Sequence, residues 1–210
     1  MELQSMLCCY SQKICGELPS MDLSIGTALF LIFSSYLSDA KTRNYTIELS
    51  VPNGGPWGEW GPIEFCRKGY ANGFTLKVDP WHRFQILKDE TSLNGICLSC
   101  TDGTEIHSSV GPWGKWTKTE TCPKGRLISF SLRVQEHRGI LLDDTSADNI
   151  RFSCEHGAVL TGHSNNWGTF GPWSAICPQG AICGIRTKTE PQMEKGDNTG
   201  LNDVKFYCCD

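Results

Sequence analysis

The sequence of 210 residues contains no cluster of Lys and Arg, so it lacks the basic footprint that nucleic-acid binding requires. GxSxG, HExxH and phosphate-loop patterns are also absent, which removes the common signatures of nucleophilic, zinc-peptidase and nucleotide chemistry. The histidines, His82, His107, His137, His156 and His163, are scattered, and an acid stands directly beside only His137 (Glu136) and His156 (Glu155). Neither these two nor the others belong to a recognisable catalytic set, and all five read as surface or loop residues rather than as catalysts. Beyond Ala40 no window sustains a helical apolar period, and there is no amphipathic helix or apolar tail for membrane insertion.

What the sequence does have is cysteine, twelve in all, together with 22 glycines and seven tryptophans. So many cysteines in a short chain point to an oxidising compartment and a disulfide framework. Cys97 and Cys100 in "CLSC" have the spacing of a metal pair, but no second pair or His pair follows, so neither a metal nor a cofactor is expected. The apolar run Leu23–Leu37 is short and serine-rich for a membrane span, and Ser38 and Ala40 place small residues where a signal peptidase cuts. Residues 1–40 are therefore expected to be an N-terminal extension followed by a signal peptide from about Met21, cleaved after Ala40. A retained anchor is the alternative, since Asp22 stands where a basic residue is usual. Asn44-Tyr45-Thr46 is a glycosylation sequon close to the new terminus. Cleavage would remove Lys13, Glu2, Glu17, Asp22 and Asp39, leaving 18 basic and 19 acidic side chains. It would also remove Cys8, Cys9 and Cys15, leaving an odd nine cysteines.

The mature region is written three times. "WGEW" at Trp57–Trp60 returns as "WGKW" at Trp113–Trp116 and as "WGTF" at Trp167–Phe170. A cysteine follows each (Cys66, Cys122, Cys177), then an alternating segment: "FTLKV" 74–78, "FSLRV" 130–134, "GIRTK" 184–188. Next comes an acidic turn at Asp89-Glu90-Thr91, Asp143-Asp144-Thr145 and Asp197-Asn198-Thr199. "LNGICLSC", "ADNIRFSC" and "LNDVKFYC" close the units at Cys100, Cys154 and Cys208. The repeats run over about 46–104, 105–158 and 159–210, within one domain, 41–210. Apolar–polar alternation with Gly, Pro, Asn and Asp punctuation predicts strands and turns. Each unit reads as an antiparallel sheet of about four strands, with one apolar face that it cannot bury alone. Three such faces can turn inward about a pseudo-threefold axis.

Two features of the repeat have both an architectural and a functional reading. The tryptophans are expected to pack beneath a Gly/Pro corner and cap the shared core, with platforms for sugar rings as the alternative. The acids Asp89, Asp143 and Asp197 are expected to cap turns, with sugar contact as the alternative. The repeat alignment also pairs cysteines: Cys66–Cys100, Cys122–Cys154 and Cys177–Cys208, leaving Cys183–Cys209. Exchange among the last four remains open, because Cys208 and Cys209 are strand neighbours that point to opposite faces. Cys97, at the position of Arg151 and Lys205, is expected to be an exposed unpaired thiol or an intermolecular bridge.

The triple WGxW, Cys, SLRV, DDT and LN-I-F-C pattern, ending in "FYCCD", resembles the vitelline membrane outer layer protein 1 family over about residues 44–210. The resemblance implies an all-β fold, a type I β-prism of three Greek-key sheets held by four disulfides. Cys97 departs from the family pattern, and the third unit is irregular, with one extra residue between Phe170 and Cys177 and an added Trp173. The resemblance further implies a secreted, extracellular component of the egg's outer vitelline layer, partnered by coat or matrix glycoproteins. The alternative it carries is a carbohydrate-binding, lectin-like protein or a weak chito-oligosaccharide transferase. Catalytic residues are not assigned.

Overall fold

In the computed structural model, residues 43–80, 91–135, 147–191 and 199–210 are described. The predicted leader, 1–40, lies outside them. All regular structure among the described residues is β. Three long hairpins carry the fold: β4 (Ala71–Val78) with β5 (Leu93–Cys100), β9 (Leu127–Val134) with β10 (Ala147–Cys154), and β13 (Ala181–Thr189) with β14 (Leu201–Cys209). Each pair is antiparallel, and each gains short strands at both edges. β1 (Ile47–Leu49) pairs with β14, while β2 (Glu59–Trp60) and β3 (Glu64–Phe65) pair with β13. β6 (Glu105–Ile106) pairs with β5, while β7 (Lys115–Trp116) and β8 (Glu120–Thr121) pair with β4. β11 (Val159–Thr161) pairs with β10, and β12 (Thr169–Phe170) pairs with β9.

The sheet and the sequence repeat are out of phase. The WGxW segment of each repeat joins the hairpin of the preceding repeat, and the first segment joins the last hairpin. The sheet built on β13 and β14 therefore holds both ends of the domain, closing the three sheets into a ring. Residues Asn44–Asp210 make one unit on this account.

The inner faces alternate as the sequence predicts. Ile96 and Leu98, Ile150 and Phe152, and Val204 and Phe206 point inward and are fully buried. At the centre, Phe152 packs against Phe74 and Phe206, with ring centroids 4.8 and 5.1 Å apart, and Phe206 meets Phe130 at 4.8 Å. Each of these side chains contributes roughly 1.5–3 kcal/mol by burial.

The tryptophans do not cap this core. Trp57 and Trp173 are exposed, and Trp60, Trp113, Trp116 and Trp167 are only half-buried. The core is phenylalanine and leucine, and the WGxW segments lie on sheet edges, where one ring face remains outward. Why a glycine follows each first tryptophan is clear from its position. Gly58, Gly114 and Gly168 have φ of 81°, 83° and 68°, and each lies against the backbone of Thr189, Val78 or Val134. A Cβ would collide with that neighbouring strand, and the left-handed backbone would strain it further.

The disulfides complete the ring. Cys66 follows β3, where its N–H bonds the Cys183 carbonyl of one sheet, and its sulfur joins Cys100 of the next. Cys122 (N–H to the Asn72 carbonyl) joins Cys154, and Cys177 (N–H to the Ile128 carbonyl) joins Cys208. Every adjacent pair of sheets is thus stapled once. The fourth bridge, Cys183–Cys209, lies within the β13–β14 hairpin on its outer side. There Cys183, Cys209 and Tyr207 form a second buried cluster with Phe65 and Tyr70 against it. Cys208 faces the main core.

Candidate functional site

Away from the core, each sheet sets a cation beside an edge-strand aromatic, and two of the three lay cations over the ring. The register sets this arrangement. Lys188 stands opposite Trp60, Lys77 opposite Trp116, and Arg133 opposite Phe170. Each cation also grips the loop leading to its aromatic partner. Lys188 Nζ donates to the Pro56 carbonyl, Lys77 Nζ to the carbonyls of Gly111 and Pro112 (2.8 and 3.2 Å), and Arg133 Nη1 to Asn166 Oδ1 (3.1 Å). A second layer of cations comes from the central strands. Lys205 lies 5.1 Å and Arg186 5.7 Å from the Trp60 ring, while Arg151 lies 4.5 Å from Phe170 and 4.7 Å from Trp173. The outward positions Arg151 and Lys205 are therefore half-covered by rings.

The β4–β5 face overturns the expectation for Cys97. It is 1 % exposed and disulfide-bonded, neither an exposed nor an unpaired thiol. At the equivalent positions Arg151 and Lys205 are long enough to reach up through the outer layer. A cysteine ends at its floor, opposite Thr75, itself buried.

One end of the ring carries a polar cluster. Asp148 stands where the other repeats have Asn94 and Asn202, and all three are buried. Asn94 Nδ2 donates to Thr91 Oγ1 and Asn202 Nδ2 to Thr199 Oγ1, both at 2.7 Å. Asp148 instead accepts from Ser92 Oγ at 2.7 Å and from the Trp167 N–H at 3.2 Å, tying two sheets together. Ser92 has φ of 44°, a strained conformation for a residue with a side chain. Asn165 Nδ2 reaches the same hydroxyl and the Asp79 carbonyl. Burial pushes the Asp148 carboxyl up to about 6, against the lowering effects of the Ser92 hydrogen bond, the Arg133 charge and the Trp167 N–H.

The acids singled out in the sequence, Asp89, Asp143 and Asp197, lie outside the described residues. Asn44 is exposed. His107 bonds the Ser108 carbonyl, and His163 meets Glu120 at 3.1 Å, while His82 and His137 lie outside the described residues. Asp148 escaped the sequence reading because it stands in the closing strand, away from the acidic turns, and Asp and Asn have nearly the same shape. The substitution of Asp for Asn within the "LN" position was its only signal.

A three-sheet prism with inter-sheet disulfides defines the class. Residues 47–210 match the family model described as Vitelline membrane outer layer protein I (VOMI). The chain is 44% identical over 192 residues to the human vitelline membrane outer layer protein 1 homolog, covering 86% of this chain and 93% of that protein. It is 40% identical over 203 residues to the mouse homolog, covering 90% and 99%. The chain belongs to the vitelline membrane outer layer protein family. Among solved structures, a mannose-binding lectin from champedak matches with TM-score 0.50 at 14% identity, covering 79% of this chain and 98% of the lectin. Calystegia sepium agglutinin matches with TM-score 0.50 at 17% identity, covering 79% and 97%. These two likenesses establish the β-prism fold and nothing further.

Proposed function

We propose that the chain is a secreted structural component of an extracellular coat, of the kind its family name describes, the outer layer of the egg vitelline membrane. The observation that carries this reading is the match of residues 47–210 to that family, over the whole stapled ring. A ring in which each pair of neighbouring sheets is cross-linked suits a protein that must persist outside the cell. Cleavage after Ala40 and a glycan on the exposed Asn44 belong to the same proposal, and its partners are coat or matrix glycoproteins.

The enzymatic alternative draws less support. Glycoside transfer takes two carboxylates placed about 5–10 Å apart around a sugar. Asp148, the acid held near neutrality, is buried, and its oxygens already serve Ser92 and Trp167.

Expression of the full chain in secretory cells tests the reading. The expected product appears in the medium, begins at Lys41, carries a glycan on Asn44 and leaves chito-oligosaccharide chain lengths unchanged by mass spectrometry. Retention in the cell membrane, or redistribution of chain lengths, would contradict it.

A further inference from the structure

The three outer faces share one plan but differ in charge balance. On the β13–β14 face, Lys205 is neutralised by Glu48 at 2.7 Å. Glu48 stands opposite Tyr207 in the ladder. The equivalent position on the β4–β5 face is Glu105, opposite Ser99, and there the cation itself is replaced by Cys97. On the β9–β10 face the cation is present as Arg151, but the carboxylate position is Val159, opposite Ser153. Among the described residues the Arg151 guanidinium has no carboxylate within salt-bridge distance and no hydrogen bond. Its Nε is buried without a partner, as is Nε of Arg133.

Arg133 and Arg151 share a face, since Arg151 pairs with Ser131, two residues from Arg133. Both lie over the Phe170 ring, at 4.8 and 4.5 Å. One Arg133 nitrogen is used by Asn166, and its charge is felt by the buried Asp148 carboxyl. Arg151 has only the rings of Phe170 and Trp173. Trp173, absent from the other repeats, is 39% exposed, with the Arg151 guanidinium 4.7 Å from its ring. Stacking fixes the guanidinium plane and leaves its donors for an incoming acceptor.

We propose that this face, built from Arg133, Arg151, Phe170 and Trp173, binds an anionic saccharide. A sulfate or carboxylate would take the unmatched guanidinium donors, and a sugar ring would lie on the exposed indole. An acidic peptide would satisfy the charge but leaves the added Trp173 without a role. The proposal deepens the coat reading, on which its biological setting rests, by naming what the protein would hold in the coat.

The test is calorimetry of the full secreted chain with four probes: a chondroitin sulfate hexasaccharide, a hyaluronan hexasaccharide, chitohexaose and hexaglutamate. Saturable binding of at least one anionic sugar is expected, with chitohexaose and hexaglutamate at least about tenfold weaker. Binding of the chondroitin sulfate probe alone identifies sulfate as the anchor, and equal binding of hyaluronan identifies the carboxylate. Arg151→Gln and Trp173→Ala should each weaken binding by about tenfold or more. Lys124→Gln, which removes the same charge from an exposed site, should change it by less than about twofold. Should Arg151→Gln not fold, Arg151→Lys and the exposed Trp173→Ala decide the matter. No binding of either anionic sugar, equal losses in Arg151→Gln and Lys124→Gln, unchanged binding in Trp173→Ala, or equal binding of hexaglutamate would overturn the proposal. Failure here together with retention of both wild type and Arg151→Gln by isolated coats would sink the site while leaving the coat reading intact.

Discussion

Single residues decide where this prism is strained and where it senses pH. Asp148 has a higher pKa in the folded chain, about 6, than the ordinary aspartate value of 3.8. It therefore holds its proton more tightly when folded, and its contribution to stability falls as pH rises from about 4 through 6. Asp148→Asn, which restores the residue of the other two repeats, should flatten that fall. Thermal midpoints at pH 4.5 and 7 check this: the difference between them should change in favour of pH 7 in the variant. A second residue-scale prediction concerns Gly114. Its φ of 83° and its approach to the Val78 backbone leave no room for a methyl group. Gly114→Ala should cost upward of about 2 kcal/mol in denaturant unfolding, whereas Gly103→Ala, with the same backbone strain but open space around it, should cost less. The glycine of each WGxW was legible as a corner. That it rests on a strand of a different repeat was not, because contact across repeats leaves no local signal.

At the scale of the element, alternation of apolar and polar residues revealed the long hairpins, and repetition revealed the cysteine pairs. The register of the third hairpin was harder to read. By sequence spacing, Arg186 of "GIRTK" falls opposite Leu76 of "FTLKV"; in the ladder it matches Thr75, one residue earlier. Arg186 pairs with Lys205 as Thr75 pairs with Cys97. The inner face imposes this register, because Ile185 and Thr187 are both fully buried, and a slip of one residue would turn Arg186 inward. The tryptophans were misplaced for a related reason. Large aromatic residues suit a core, but short edge strands leave one ring face outward, and over Trp60 and Phe170 that face meets cations. Loss of one inter-sheet staple should be felt throughout. The double variant Cys122→Ala, Cys154→Ala opens a link with a sequence separation of 32 and should lose about 2–5 kcal/mol in chemical denaturation. Phe206→Ala, which empties the meeting point of Phe130 and Phe152, should lose about 3–5 kcal/mol.

For the whole molecule, closure is the governing feature. Each hairpin is completed by strands from the following repeat, and the last is completed by the first residues of the domain, so no repeat can bury its inner face independently. Both ends of the domain meet in one sheet, where Ile47 lies opposite Cys208. Among the bridges between described residues, three run around the ring and one stiffens the sheet that closes it. Such an object has few ways to open, which suits a constituent of a layer outside the cell better than it suits an enzyme that must move. The three outer faces are then free to diverge, and they have: one is charge-paired, one has lost its central cation, and one carries two guanidiniums with an added tryptophan. The most direct measurement is retention of the secreted full chain by isolated outer layers of egg vitelline membrane, with the chain reduced and alkylated as the comparison. The account predicts that the native chain stays with the layer through washing at physiological salt and that the reduced chain does not. A native chain that washes away as freely as the reduced one would contradict it.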